Sequence, residues 1–347
     1  MKENGILART ASVNKTYSFN ESHNPRIPVE YWYQNTPEGL TLFVVFFTQA
    51  CRYSKCTACN LPSRMSIKHV AFNDIMKQVD ALFDFILDSN TKQSLKKIIV
   101  SNNGSVLDEE TFSTTALIYL ISKINLECPN IAVLTLETRP EYVDIEELEV
   151  LARVLQEGIS PTALELAIGF EAFDETIRNE KFKKGLSFEV VEKLLANINS
   201  INTRFAKKMN GVVVDIRLKA YFMLKPVPEL TDSEAILDVQ NGIDYLSQLA
   251  NKYQVAINMH LNPTYVAKGT NLEALFYENK YQPPTLEHTM QVVMHGQNKN
   301  LTIFIGLSDE GLAVEGGSFI RDLEKEAEII SKLEMFNISQ DFNIFKN

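Results

Sequence analysis

Three of the chain's four cysteines fall inside the stretch QACRYSKCTACNLP, residues 49–62. They are Cys51, Cys56 and Cys59, in the pattern C-x4-C-x2-C. Thiolates are nucleophiles and soft metal ligands, so a cluster of three points to metal or redox chemistry before disulfide bridges. Three accounts compete. The first is three unrelated small buried residues. The second is a structural zinc site, which normally takes four protein ligands. His69, ten residues past Cys59, could complete three cysteines and one histidine, although there is no second C-x2-C pair and His69 also reads as a surface residue before a helix. The third is an iron–sulfur cube, normally held by four thiolates. With three, one iron stays open to a substrate or cofactor. Cys128 has no evident role, and no cysteine follows it that could bind a second cluster.

A loop that holds such a group must be placed by regular elements. Near-continuous apolar runs occur at 40–48, 96–101, 131–138, 163–171, 215–224 and 255–261, with a possible seventh at 301–306. Runs of this kind suit parallel strands buried on both faces. Helical patterns fall between them. One follows Asn73 as N-cap, another spans 108–126 and opens on the acidic residues Asp108, Glu109 and Glu110, and others cover 143–156, 187–199, 231–250 and 285–298. The order is βα repeated about six times, which predicts an α/β fold with right-handed crossovers. The expected architecture is a partial parallel (β/α)6 TIM-like barrel with N- and C-terminal extensions. Its expected divisions are residues 1–39, the core barrel 40–300, and a strand-helix extension 301–347. In barrels of this kind the chemistry sits on loops after the strands. Cys51 follows the first strand, NNGS (102–105) the second, Glu137 ends the third and Glu171 the fourth. These polar residues all fall at one end of the inferred sheet.

Composition narrows the function. The chain has 34 Lys and Arg against 44 Asp and Glu, a net charge of −10. That balance disfavours non-specific binding to long polyanions, though a local basic groove from KFKKG (181–185) or RFAKK (204–208) stays open beside their reading as solvated faces. The N-terminal residues contain no apolar signal region, and the run LFVVFF is too short to cross a bilayer. A reducing cytoplasmic location is expected. No phosphate-binding loop, H-E-x-x-H zinc helix or G-x-S-x-G elbow is present.

The three-cysteine loop after the first strand of a βα-repeat chain resembles the radical S-adenosylmethionine superfamily. Its common loop is C-x3-C-x2-C, and this chain has one extra residue in the first gap, a gap that varies in the Elongator-catalytic-subunit-like branch. SNNGSVLDEETF (101–112), LETRPEYV (136–143) and AIGFEAFDETIRNEKFKKGLSFE (167–189) are similar to further motifs of that branch. The stretches RLKAYFMLKPVPELTDSEAI (217–236) and LNPTYVAKGTNLEALFYENKYQPP (261–284) resemble the radical subunit of archaeosine synthase and its uncharacterised bacterial relatives.

The resemblance implies a 4Fe-4S cluster on Cys51, Cys56 and Cys59, with S-adenosyl-L-methionine on its open iron and a 5′-deoxyadenosyl radical produced on reduction. It implies cofactor contacts from Asn103, Gly104, Ser105, Glu137, Glu171 and Lys184. The backbone of 103–105 would meet the methionine amino group, Glu171 the ribose and Lys184 the methionine carboxylate. It implies a substrate such as a 7-deazaguanine-type nucleoside or its lysine adduct in tRNA, an electron donor such as flavodoxin or ferredoxin, and a separate lysine-transferring partner subunit. No membrane partner is expected. Lys219 and Lys225, flanking an apolar run, and Asn262, Thr264 and Lys268, after the sixth strand, are candidate substrate residues. For each of these groups a bland reading stands beside the functional one: strand-end ion pairs for the glutamates, with Arg139 in reach, and solvent-seeking stems for the lysines. His260 reads as a satisfied core histidine. The YWY run (31–33) reads as core packing.

Overall fold

The computed structural model describes residues 2–208 and 214–346. In chain order the strands are β1 (Glu30–Thr36), β2 (Gly39–Val45), β3 (Lys97–Ser101), β4 (Val133–Thr138), β5 (Ala163–Glu171), β6 (Ile216–Leu224), β7 (Ile257–Pro263) and β8 (Thr302–Ile305). The helices are α1 (Lys2–Ala11), α2 (Phe72–Ala81), α3 (Ser89–Ser94), α4 (Thr114–Glu127), α5 (Ile145–Leu155), α6 (Phe188–Lys208), α7 (Asp232–Tyr253), α8 (Asn271–Tyr277), α9 (Leu286–Met294) and α10 (Ala327–Ser339). All eight strands form one sheet in sequence order. β2 through β8 run parallel, and β1 pairs antiparallel with β2. The sheet curls into a half-barrel, as the βα repeat implies.

The parallel strands are apolar because both faces are covered. Every residue of β3 is buried, and the strands share one continuous core with α2, α4, α5, α6, α7 and α9. Side-chain caps start several helices: Ser113 for α4, Asp144 for α5, Thr231 for α7 and Thr285 for α9. Two expected starts are corrected. α2 begins after Ala71, so Asn73 lies inside the helix rather than capping it. Asp108–Glu110 are not helical, because they are engaged elsewhere. Arg52 on the cysteine loop pairs with Asp108 (3.2 Å) and Glu110 (2.5 Å), and the Asp108 carbonyl accepts from Thr111 and Phe112 in a turn.

β1 is a strand that the periodicity did not suggest. It turns back on β2 through a two-residue loop at Pro37 and Glu38, with Gly39 at φ +119°. Only the middle aromatic of the YWY run packs inward. Trp32 stacks on Phe43 at 4.1 Å, whereas Tyr31 and Tyr33 are exposed.

The half-barrel leaves β8 with an unpaired edge, a liability in any open sheet. α10 covers it. The Asn337 amide donates to the Ile305 carbonyl and accepts from its N–H (2.9 and 2.7 Å), and Gln340 does the same for Ile303 (2.8 and 2.9 Å). Two side-chain amides thus take the place of a neighbouring strand. The other end of the barrel is closed by buried charge. Lys97 on β3, Glu165 on β5 and Lys219 on β6 meet in its floor, with Lys97 Nζ 2.9 Å from Glu165 Oε1.

Among the described residues no helix is long and apolar enough to cross a membrane. Of the two basic runs, Lys184 turns inward, Lys181 pairs with Glu229 at 3.7 Å, and the side chains of Lys207 and Lys208 lie outside the described residues.

Candidate functional site

The cysteine loop leaves β2 under tight control. The buried Gln78 amide accepts from Phe47 N–H at 2.7 Å and donates to the Phe47 carbonyl at 2.8 Å. Ala50 N–H then donates to Ser66 and Ser66 N–H to Thr48, which closes the base of the loop. Further along, Thr57 N–H reaches the Phe182 carbonyl (2.9 Å), Tyr53 Oη the Lys183 carbonyl (2.7 Å), and Asn60 the Lys268 carbonyl (3.1 Å). The loop after β2 is therefore tied to the loops after β5 and β7.

Cys51, Cys56 and Cys59 line one cavity of about 680 Å³ at the carboxyl ends of the strands. They are free and partly accessible. Burial raises the Cys56 thiol, opposed by Lys184 and Arg139. Burial pushes Cys59 up to about 12, with Lys15 the main opposing charge. Without a metal these two thiols hold their protons, and a bound metal would displace them.

The glycine of the NNGS loop is required by close approach. A Cβ on Gly104 would stand 3.2 Å from the Cys51 Cα. The left-handed turn residue there is Asn103, at φ +53°, with its N–H on Ser101 Oγ. Both line the cavity; Ser105 does not, and lies behind, its hydroxyl accepting from Arg139 N–H at 3.2 Å.

β5 ends with a register slip between Gly169 and Glu171, and Glu171 sits at φ +69°. Its carboxylate meets Lys184 Nζ at 2.7 Å. Gly169 makes room for this pair, since a Cβ would lie 2.2 Å from Glu171 Oε1 and 2.3 Å from Lys184 Nζ. Burial works against the Lys184 charge, but the Glu171 carboxylate beside it raises its pKa. Arg139 lies 3.8 Å over the Tyr53 ring and donates to the Lys184 carbonyl at 3.0 Å. Its nearest acid is Glu141, not Glu137 or Glu171. Glu137 accepts from Tyr221 Oη at 2.6 Å, and burial raises its pKa.

Of the five candidate substrate residues, the structure places only Asn262 on the cavity wall. Lys219 lies in the barrel floor, bonded to Asn258, with burial pushing its pKa down to about 8. Lys225 pairs with Asp232 at 2.6 Å, away from the cavity. Thr264 is buried outside the lining, and Lys268 is exposed. His260, read as a satisfied core residue, instead faces the cavity, and its Nδ1 has no hydrogen-bond partner. Periodicity alone could not place Lys15 and Glu310 here. Lys15 Nζ donates to the Ser54 carbonyl (3.2 Å) and stands beside the thiols. The only signal for Glu310 was its turn sequence after the seventh parallel strand.

The zinc alternative requires ligands converging on one ion. Among the described residues no group of three or more His, Cys, Asp or Glu does so, and His69 Nδ1 instead lies 3.3 Å from the Glu110 carbonyl. Three thiols on the wall of one cavity, with Lys184 beside Cys56 and Lys15 beside Cys59, suit an anionic group held by three thiolates.

No family model matches the chain. It is 27% identical over 262 residues to archaeosine synthase subunit beta of Methanosarcina acetivorans, covering 75% of this chain and 67% of that protein. It is 21% identical over 322 residues to the protein of the same name from Thermococcus kodakarensis, covering 89% and 88%. An uncharacterised protein of Methanocaldococcus jannaschii is 24% identical over 331 residues, covering 91% and 82%. These relatives bear out the resemblance to the radical subunit of archaeosine synthase. Among solved structures, Elp3 of Methanocaldococcus infernus superposes with a TM-score of 0.48 at 13% identity. That match covers 77% of this chain and 59% of the Elp3 chain.

Proposed function

We propose that this chain is a radical S-adenosylmethionine enzyme that cleaves a carbon–nitrogen bond in a 7-deazaguanine-type base, in tRNA or as a smaller nucleoside. The observation that carries the reading is the meeting of three cysteines from one loop with the Glu171–Lys184 pair on the wall of a single cavity. Cys51, Cys56 and Cys59 would hold a 4Fe-4S cluster, which with S-adenosylmethionine supplies a 5′-deoxyadenosyl radical.

The chain's own groups divide the remaining work. Lys184 keeps its ammonium charged and presents it to a carboxylate, and Glu171 offers acceptors to hydroxyls. Asn103 and Gly104 bring backbone to the side of Cys51. The rings of Trp32, Phe43, Tyr221 and Phe304 on the cavity wall exclude water from a reactive intermediate. The substrate part of the reading is supported by the relatives named archaeosine synthase subunit beta. It includes a partner subunit that attaches lysine and a flavodoxin or ferredoxin that supplies the electron. With a net charge of −10, any tRNA contact has to be local.

The test is anaerobic. The chain is reconstituted with iron and sulfide, given S-adenosylmethionine and a strong reductant, and assayed for 5′-deoxyadenosine beside the triple Cys51→Ala, Cys56→Ala, Cys59→Ala variant. Product from the wild type alone is expected. Equal product from the variant, or a colourless wild type with about one zinc per chain, overturns the reading.

A further inference from the structure

Lys15 is 7% exposed and lines the cavity together with Cys51, Cys56 and Cys59. It comes from outside the barrel, on the segment that follows α1. That segment is fixed at three points. Arg9 donates to the Arg52 carbonyl, Lys15 N–H to the Thr10 carbonyl (3.3 Å), and Thr16 N–H to the Gly269 carbonyl (3.1 Å). The Lys15 side chain then reaches the cysteine loop. Its Nζ donates to the Ser54 carbonyl at 3.2 Å and stands 5.6 Å from the centroid of the Tyr17 ring. Ser54 lies in the gap between Cys51 and Cys56, in the left-handed conformation at φ +48°. The longer first gap of the cysteine motif thus contains the acceptor that seats the lysine.

A buried charge is costly unless an opposite charge meets it. Lys15 has a carbonyl and a π face for company, and it makes no ion pair among the described residues. The cations beside Cys56 differ in this respect. Lys184 is compensated by Glu171 at 2.7 Å and Arg139 by Glu141. Lys15 therefore brings uncompensated positive charge to the cavity wall, and it is the foremost charge acting on the Cys59 thiol. The ammonium is held in place before any anion arrives.

The group that three thiolates would hold here is that anion. A 4Fe-4S core on three thiolates is negatively charged, and one added electron makes it more so. Cluster potentials respond to net charge and to solvent exposure. A fixed cation in a poorly solvated wall stabilises added negative charge far more than the same cation in water.

We propose that Lys15 is the charge partner of the cluster, and that it raises the reduction potential so that the electron donor can load the cluster. One electron passes from the flavodoxin or ferredoxin to the cluster; no bond of the chain forms or breaks, and the ammonium keeps its protons. The inference rests on the reading of the three cysteines as cluster ligands, and it assigns the N-terminal segment a part in the redox step.

The test uses the reconstituted full-length chain without S-adenosylmethionine, so turnover plays no part. Iron is counted, and the midpoint potential is measured by anaerobic redox titration with electron paramagnetic resonance. Wild type is compared with Lys15→Met, which keeps the stem and loses the charge, and with Lys15→Arg, which keeps the charge. At a fixed potential the ratio of reduced to oxidised cluster in Lys15→Met is expected to fall at least tenfold, a midpoint lower by about 59 mV or more. Lys15→Arg is expected to stay nearer to wild type. A Lys15→Met midpoint that falls by less than this or rises, or a Lys15→Arg midpoint lowered as far as that of Lys15→Met, overturns the proposal. If Lys15→Met retains no iron, wild-type iron in Lys15→Arg supports the proposal and loss from both variants overturns it. A wild type that takes up no cluster overturns the reading of the cysteines instead, so the two failures are told apart.

Discussion

Glu165→Gln tests the charged floor of the barrel. Lys97, Glu165 and Lys219 are all at most 3% exposed. Burial alone would raise the Glu165 carboxyl, but Lys97, then Lys219, overcome it and hold it down to about 2. Against an unfolded value near 4.3, that depression is worth about 3 kcal/mol of stability at pH 7. The sign follows from a depressed acid. The contribution is complete above about pH 4.3 and is lost as the pH falls toward 2. Lys219, pushed down to about 8, acts in the other direction. Its charge is costly in the fold below pH 8, and stability from this group rises between about pH 8 and 10.4. Removing Glu165 leaves two buried ammonium groups with one carboxylate close by, Glu38 at 3.5 Å from Lys97 Nζ, so the cost falls at the low end of the roughly 3–5 kcal/mol typical of a broken buried pair. We expect Glu165→Gln to cost about 3 kcal/mol at pH 7 in urea unfolding, with the deficit shrinking as the pH is lowered from 4.5 toward 2. In the background of Glu165→Gln, Lys219→Met should recover part of the loss, because it removes one unpaired charge. A Glu165→Gln variant within 1 kcal/mol of wild type at pH 7, or a deficit that grows on acidification, would refute the argument.

Gly169→Ala should leave the unfolding midpoint nearly unchanged, because its Cβ would collide only with the flexible ends of Glu171 and Lys184. It should weaken S-adenosylmethionine binding at least tenfold, read by equilibrium dialysis, by pushing that pair into the cavity. Asn337→Ala strips two hydrogen bonds from the Ile305 backbone at the sheet edge. A loss of about 2 kcal/mol and faster aggregation by light scattering are expected, and Asn337→Gln should not restore stability, because its longer arm misplaces the amide.

The sequence by itself determined the layer structure. Seven apolar runs alternating with helical patterns have few solutions other than a parallel sheet covered by helices, and β3 through β7 lie within two or three residues of those runs. It also determined which loops gather at one end, since parallel strands send every exit loop to the same side. Side-chain destinations were another matter. Lys219 and His260 are strand residues one pleat apart in neighbouring register, yet one lies in the floor and the other at the cavity wall. The β1 hairpin escaped notice because its exposed face alternates with aromatics that look like core. Asp108–Glu110 have helix-start chemistry, but a guanidinium fifty-odd residues away takes their charge. Glu310 and Lys15 are far apart in the chain: Lys15 reaches the cavity because the N-terminal segment folds back onto the loop after β7, Thr16 N–H donating to the Gly269 carbonyl, and Glu310 because the loop after β8 bridges to that same loop at Ala267 and Ala313. Period and composition report what each segment buries. Which polar groups then face one another depends on contacts distant in sequence, and only the tertiary structure decides those.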